Sequence, residues 1–278
     1  MTGTQAGSKV AVFDVSNPSS VAAMGTYTDA TGNGGNQMAV AGRNLYAIAG
    51  STVASVNITN PNAPASGGTN GTITAGAGTG IAVSGKYVYA GSGTSIQSYD
   101  VSNGSPTSLQ QLTGLTGNAT VVQAQGSYVY VGSSTNVTVV NAVNTASMSI
   151  GGTVSYGSSV SDLKVQGRYV YAVSSAGNNL KIYDVKNPAV APVLSATLAM
   201  PTSCGPVAIS LNDRFAYIAC SNNTNGAIQI VSIVDPTAPT IVSYMNTPTA
   251  LKDLFVSGRY LYGLLNTCLL YTSDAADE

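Results

Sequence analysis

LKVQGRYVYAV at residues 163–173, followed by LKIYDVKNPAVAP at 180–192 and PVLSATL at 192–198, is the stretch on which the fold turns. Its first piece is two short β-prone runs around Gly167, a residue able to take the positive φ that a tight hairpin turn needs. The second alternates apolar and polar residues, as a half-buried strand does, and stops at the turn signal Asn187-Pro188. A less regular fourth strand completes the unit.

Both halves recur along the chain. The first reappears as MAVAGRNLYAI (38–48), IAVSGKYVYAG (81–91), VQAQGSYVYVG (122–132), VAISLNDRFAYIA (207–219) and LFVSGRYLYGL (254–264). Its tyrosines, Tyr46, Tyr89, Tyr130, Tyr171, Tyr217 and Tyr262, are spaced 43, 41, 41, 46 and 45 residues apart. The second half reappears as VAVFDVSNP (10–18), ASVNITNPNAP (54–64), IQSYDVSNGSP (96–106) and IQIVSIVDPTAP (228–239), with a weaker copy, VTVVNAVNTAS, at 137–147. A repeat of four strands and this length matches one β-propeller blade. In the fifth hairpin Asn212-Asp213 replaces glycine, and these residues are expected to take the left-handed conformation in its place.

The pairing of G-x-Y-x-Y with I-x-D-V-x-N-P-x-x-P over residues 10–267 resembles the LVIVD-repeat family, β-propellers of bacterial and archaeal surface proteins. That resemblance implies an all-β fold of about six blades: five complete units and two terminal half-units. Residues 1–267 are expected to form a single β-propeller domain cut at both ends, with the terminal halves able to combine into one blade. Residues 268–278, CLLYTSDAADE, match nothing before them and resemble one reading frame of a sequencing adapter, which makes them a non-native tail.

Composition excludes several function classes. Charged residues are 8 % of the chain against a usual ~25 %, and there is no His and no Trp. Without His, neither a Ser-His-Asp triad nor a His-ligated zinc hydrolase site is available. Omitting Asp274, Asp277 and Glu278 of the tail moves the net charge from −1 to +2, and neither value carries the basic stripe of a nucleic-acid binder. No run approaches the ~20 apolar residues of a membrane-spanning helix. The polar start, MTGTQAGSK, has no signal peptide and reads as an internal position of a longer protein.

Asp14, Asp100 and Asp184 share one repeat position and Asp235 lies near it, where carboxylates cap turn amides. Asp162 and Asp253 each precede the first strand of a unit, which in propellers lines the channel. Together they are the candidates for a cation or polar ligand, or else each accepts a backbone amide or pairs with Lys164 or Lys252. The Y-x-Y pairs, such as Tyr87 with Tyr89, either fill the wedge between blades or offer a stacking platform for sugars. Cys204 and Cys220 flank the fifth hairpin turn symmetrically, a placement that suits a disulfide, with two buried thiols the alternative. The expected function is a non-enzymatic, exported interaction module without cofactor: a monomer at the cell surface or outside the cell, with a protein or glycan partner. An exported carbohydrate-active or other ligand-binding propeller enzyme is the alternative.

Overall fold

Gly42, Gly85, Gly126, Gly167 and Gly258 have φ between +57° and +61°. Each opens a two-residue loop closed by the pairs Ala41↔Asn44, Ser84↔Tyr87, Gln125↔Tyr128, Gln166↔Tyr169 and Ser257↔Tyr260. Positive φ at the first loop position alone is the mark of a type II′ turn, whose twist suits paired strands. The fifth hairpin departs from expectation. Neither Asn212 nor Asp213 has positive φ, and among the described non-glycine residues only Asn178 does, at 45°. Instead the Asn212 side-chain oxygen accepts the amides of Arg214 (3.0 Å) and Phe215 (2.8 Å), while the Asn212 amide donates to the Phe215 carbonyl at 2.9 Å. A side-chain hydrogen bond replaces the backbone conformation.

The computed structural model describes residues 8–17, 20–29, 34–49, 51–72, 80–202, 204–222, 227–265 and 270–274, and their regular elements are all β-strands. An opening pair, β1 (Ser8–Asp14) and β2 (Ala22–Asp29), precedes five four-stranded antiparallel blades. Blade I is β3 (Gly34–Ala41), β4 (Asn44–Ala49), β5 (Thr52–Asn57) and β6 (Ala65–Thr72). Blade II is β7 (Ile81–Ser84), β8 (Tyr87–Ser92), β9 (Ser95–Asp100) and β10 (Thr107–Thr113). Blade III is β11 (Val121–Gln125), β12 (Tyr128–Gly132), β13 (Asn136–Asn141) and β14 (Ser149–Ser155). Blade IV is β15 (Asp162–Gln166), β16 (Tyr169–Ser174), β17 (Asn179–Asp184) and β18 (Val193–Ala199). Blade V is β19 (Pro206–Leu211), β20 (Phe215–Cys220), β21 (Ile228–Ser232) and β22 (Thr240–Met245). A closing sheet holds β23 (Leu251–Ser257), β24 (Tyr260–Leu265) and β25 (Leu270–Asp274). The terminal halves thus form sheets of two and three strands, and β25, from the foreign-looking tail, pairs with the free edge of β24.

Two compact units partition the chain: Met1–Ser134 with Thr138–Gly151, and Thr135–Val137 with Gly152–Glu278. In the first, Tyr46, Ile48 and Val53 of blade I pack with Ile81, Val88 and Tyr99 of blade II. Tyr89 and Ile96 of blade II then pack with Val122, Val129 and Val140 of blade III. In the second unit, Tyr171, Leu180 and Ile182 of blade IV meet Ile209, Ala216, Ile218 and Val231 of blade V. Tyr217 and Ile228 of blade V meet Leu251, Leu254 and Leu261 of the closing sheet. Burying each large side chain contributes about 1.5–3 kcal/mol. Coverage on both faces explains why β16 and β20 are buried at every position after the first, whereas the outer strands β10, β18 and β22 are largely exposed.

The loops after the third strands also carry packing. A Cβ on Gly25 of β2 would lie 2.6 Å from the Pro61 carbonyl oxygen and Pro64 Cδ of blade I. A Cβ on Gly152 would lie 2.3 Å from the Ala191 amide nitrogen and the Val190 carbonyl carbon of blade IV. So an Asn-Pro loop lies across the outer strand of the preceding sheet, and that strand is bare where the loop crosses. In the first unit, hydroxyls hold such loops: Ser55 donates to the Gly104 carbonyl and Ser98 to the Thr145 carbonyl, both at 2.8 Å. Gly152→Ala is expected to cost about 1–3 kcal/mol through overpacking. Urea denaturation measures it, and an unchanged midpoint would show that the loop stands off the strand.

Candidate functional site

The aspartates of the repeat motif are engaged by their own turns. Asp14, Asp100 and Asp184 accept the amides of Ser16, Ser102 and Lys186 at 2.8 Å, and Asp235 accepts that of Thr237 at 2.9 Å. Asn57 and Asn141 do the same for Thr59 and Val143. Three residues on, Asn60, Asn144 and Asn187 repeat the device for Asn62, Ala146 and Ala189. D-V-x-N-P therefore encodes two successive Asx turns. These bonds hold the carboxyls of Asp14, Asp100 and Asp235 below the usual range, Asp100 at about 2, with the Ser102 hydroxyl the leading cause there. The basic residue after the turn glycine adds an ion pair in two blades: Lys86 with Asp100 at 3.0 Å, and Arg168 with Asp184.

Asp162 heads β15 and is buried, 3 % exposed. One carboxylate oxygen accepts the Leu163 amide at 2.8 Å, the other the Ile209 amide of blade V at 3.0 Å, and Lys164 Nζ lies 3.0 Å from both. Asp162 is the first residue of β15 and Asp253 the third of β23, so neither precedes its strand as expected. The residue five before the hairpin turn thus reaches the amide of the residue four before the next turn. Gln37 does so in the first unit, its side-chain oxygen accepting the Ile81 amide at 3.3 Å. Gly80, in the same register, comes so close that a Cβ would lie 2.6 Å from the Val122 amide nitrogen.

Asp253 has the same local geometry, accepting the Leu254 amide at 2.8 Å. Asp253 is nonetheless exposed, unlike Asp162. Desolvation, then repulsion from the Asp162 carboxylate, pushes its pKa up, against the pull of Lys164 and the Leu254 amide. Asp162, Lys164 and Asp253 therefore form one electrostatic group. Among the described residues no three His, Cys, Asp or Glu side chains gather in a metal-binding cluster.

Tyr46, Tyr89, Tyr130, Tyr171 and Tyr217 are buried, and burial pushes their phenols up, Tyr171 to about 12. Their half-buried companions, Tyr87, Tyr128 and Tyr169, keep one edge in solvent. Cys204 and Cys220 are joined by a disulfide with Cα atoms 4.7 Å apart.

Removing Asp162 strips an acceptor from a buried amide and the counter-charge from Lys164. Asp162→Ala is expected to cost about 2–4 kcal/mol in chemical denaturation, and Asp162→Asn less. A loss under about 0.5 kcal/mol, the size expected at a featureless surface site, would show the seam to be dispensable.

For Asp253 the sign is opposite. With the folded pKa above the unfolded value, the folded state holds more protons between the two, so stability falls as pH rises through that window. The full penalty remains above it. Asp253→Asn is expected to melt about 1–2 °C higher at pH 7, with the gain gone below the usual Asp pKa of about 3.9. A lower melting temperature for this variant at pH 7 would contradict that.

The LVIVD repeat profile matches residues 7–29, 75–111, 116–155, 157–198 and 207–247. Blade I lies wholly outside these segments yet has the same strand order. No curated protein sequence matches the chain. Among solved structures, Saccharomyces cerevisiae Sqt1 is similar with a TM-score of 0.70 at 10 % identity, over 97 % of this chain and 78 % of that one. BamB from Moraxella catarrhalis is similar with a TM-score of 0.65 at 14 % identity, over 96 % and 80 %. The computationally designed Ika8 protein gives 0.62 at 14 %, over 87 % and 84 %. At such identities the likeness is one of fold, the β-propeller. The repeat profile covers more than half of the sequence, and the chain belongs to the LVIVD-repeat family.

Proposed function

We propose that this chain is a non-enzymatic interaction module that works outside the cytoplasm. The observation that carries the reading is the use made of its acids: Asp14, Asp100, Asp184 and Asp235 cap turns, and Asp162 holds an inter-blade amide. Side chains spent in this way are poor general acids and bases, and His, the commonest such group, is absent. The Cys204–Cys220 bridge favours an oxidising compartment, where disulfides persist. No helix among the described residues is long and apolar enough to cross a membrane. Exposed apolar side chains on outer strands, Val193 at 64 % and Leu194 at 49 % on β18, Val242 at 53 % and Tyr244 at 57 % on β22, suit a surface that others contact.

One feature favours a second reading, an exported carbohydrate-active propeller: the raised pKa of Asp253 beside Asp162 is what an acid catalyst needs. The experiment presents the oxidised chain to secreted and surface proteins and to a panel of glycoside substrates. Capture of a protein or glycan with no turnover is the expected result. Turnover lost in Asp253→Asn would replace the module with an enzyme.

A further inference from the structure

Between the hairpin end of blade II and the loops of blade III, inside the first compact unit, lies an open cleft of about 560 Å³. That is within the range of small-ligand pockets, about 300–1,000 Å³. Its lining has a definite chemistry. Lys86 Nζ and Asp100 Oδ2 stand 3.0 Å apart on the wall, with side chains 55 % and 27 % exposed. Lys86 also lies 5.2 Å from the centre of the half-buried Tyr87 ring. Leu109 of β10 and Val143 after β13 add apolar surface, 38 % and 68 % exposed. The floor is small: Ser84, which precedes the turn glycine, donates to the Gly126 carbonyl at 2.8 Å. At the same place in blade IV the longer Gln166 reaches across to the Asp213 carbonyl instead.

These groups fit one ligand class. The cation and the carboxylate neutralise each other, so the cleft selects neither an anion nor a cation. Side by side they offer a donor and an acceptor at the spacing at which adjacent hydroxyls take one of each. The ring edge of Tyr87, Leu109 and Val143 offer apolar contact to the C–H face of the same molecule. The pair is also fixed in place, because Ser102 holds the other oxygen of Asp100 through its amide at 2.8 Å and its hydroxyl.

We propose that this cleft is a binding site for a neutral glycan, with the Lys86–Asp100 pair engaging adjacent sugar hydroxyls and Tyr87 lying against the ring. The proposal rests on the reading of the chain as a binding module and names a ligand for it.

The test uses the full chain on an array of neutral and charged oligosaccharides, followed by titration calorimetry with the best neutral binder. Lys86→Ala and Tyr87→Ala are each expected to weaken binding about tenfold. Arg168→Ala, which removes the corresponding ion pair of blade IV, is expected to leave it unchanged. Melting curves of all three variants establish that they are folded, and Lys86→Ala, a change at an exposed tip, keeps the test valid if Tyr87→Ala unfolds. Retention of charged glycans alone, binding indifferent to Lys86→Ala, or no glycan bound at all would each overturn the site. Capture of a protein partner by a chain that binds no glycan would leave the module reading standing and remove only this ligand.

Discussion

The amides of Ile81 and Ile209, on inner strands of blades II and V, lie between two sheets, where water cannot serve them, and the preceding blade supplies each acceptor. Leaving such a group unpaired costs about 1–3 kcal/mol, a large share of any protein's stability. Two solutions occupy one register: the Gln37 amide oxygen reaches Ile81 and the Asp162 carboxylate reaches Ile209, while Gly80 at the same position only lets Val122 approach closely. Apolar packing between blades is non-directional and tolerates sliding. This hydrogen bond does not, and it fixes the height of each sheet against the next.

That constraint decides how the carboxylates should be understood. Asp162 looks in sequence like a ligand group at the mouth of a channel, yet both its oxygens are bonded and Lys164 neutralises it. Asp253 repeats its local geometry while staying open to solvent, and so it alone keeps chemical freedom. Its raised pKa comes first from desolvation and then from the neighbouring Asp162 charge.

What the sequence discloses is what local chemistry imposes. Turn glycines, strand alternation and the Asx residues of D-V-x-N-P each act within a few residues, so blades, turns and caps were legible. The Asn212 turn was misjudged because a side-chain hydrogen bond can stand in for positive φ, and both solutions use the same residue type. The seam was hidden for a different reason: its donor and acceptor lie 44 or 47 residues apart, and the acceptor changes from a side-chain amide to a carboxylate. The Lys86–Asp100 pair left a signal, since superposing blades II and IV puts a cation after the turn glycine and an Asp at the end of the third strand in both. The pairing of β25 with β24 required no motif, because an open strand edge accepts any extended chain.

These commitments also locate the variation. The Asx residues serve the turns and the inner tyrosine serves the wedge, so these positions repeat from blade to blade. The two residues flanking the turn glycine vary instead. Before it stand Ala41, Ser84, Gln125, Gln166 and Ser257, and after it Arg43, Lys86, Ser127, Arg168 and Arg259. At the first, Ser84 and the longer Gln166 each bond a carbonyl of the next blade, and at the second, Lys86 lines the cleft beside blade III. A scaffold that repeats its structural residues and varies this pair places its variation at the hairpin end of its blades, in loops held by a rigid frame.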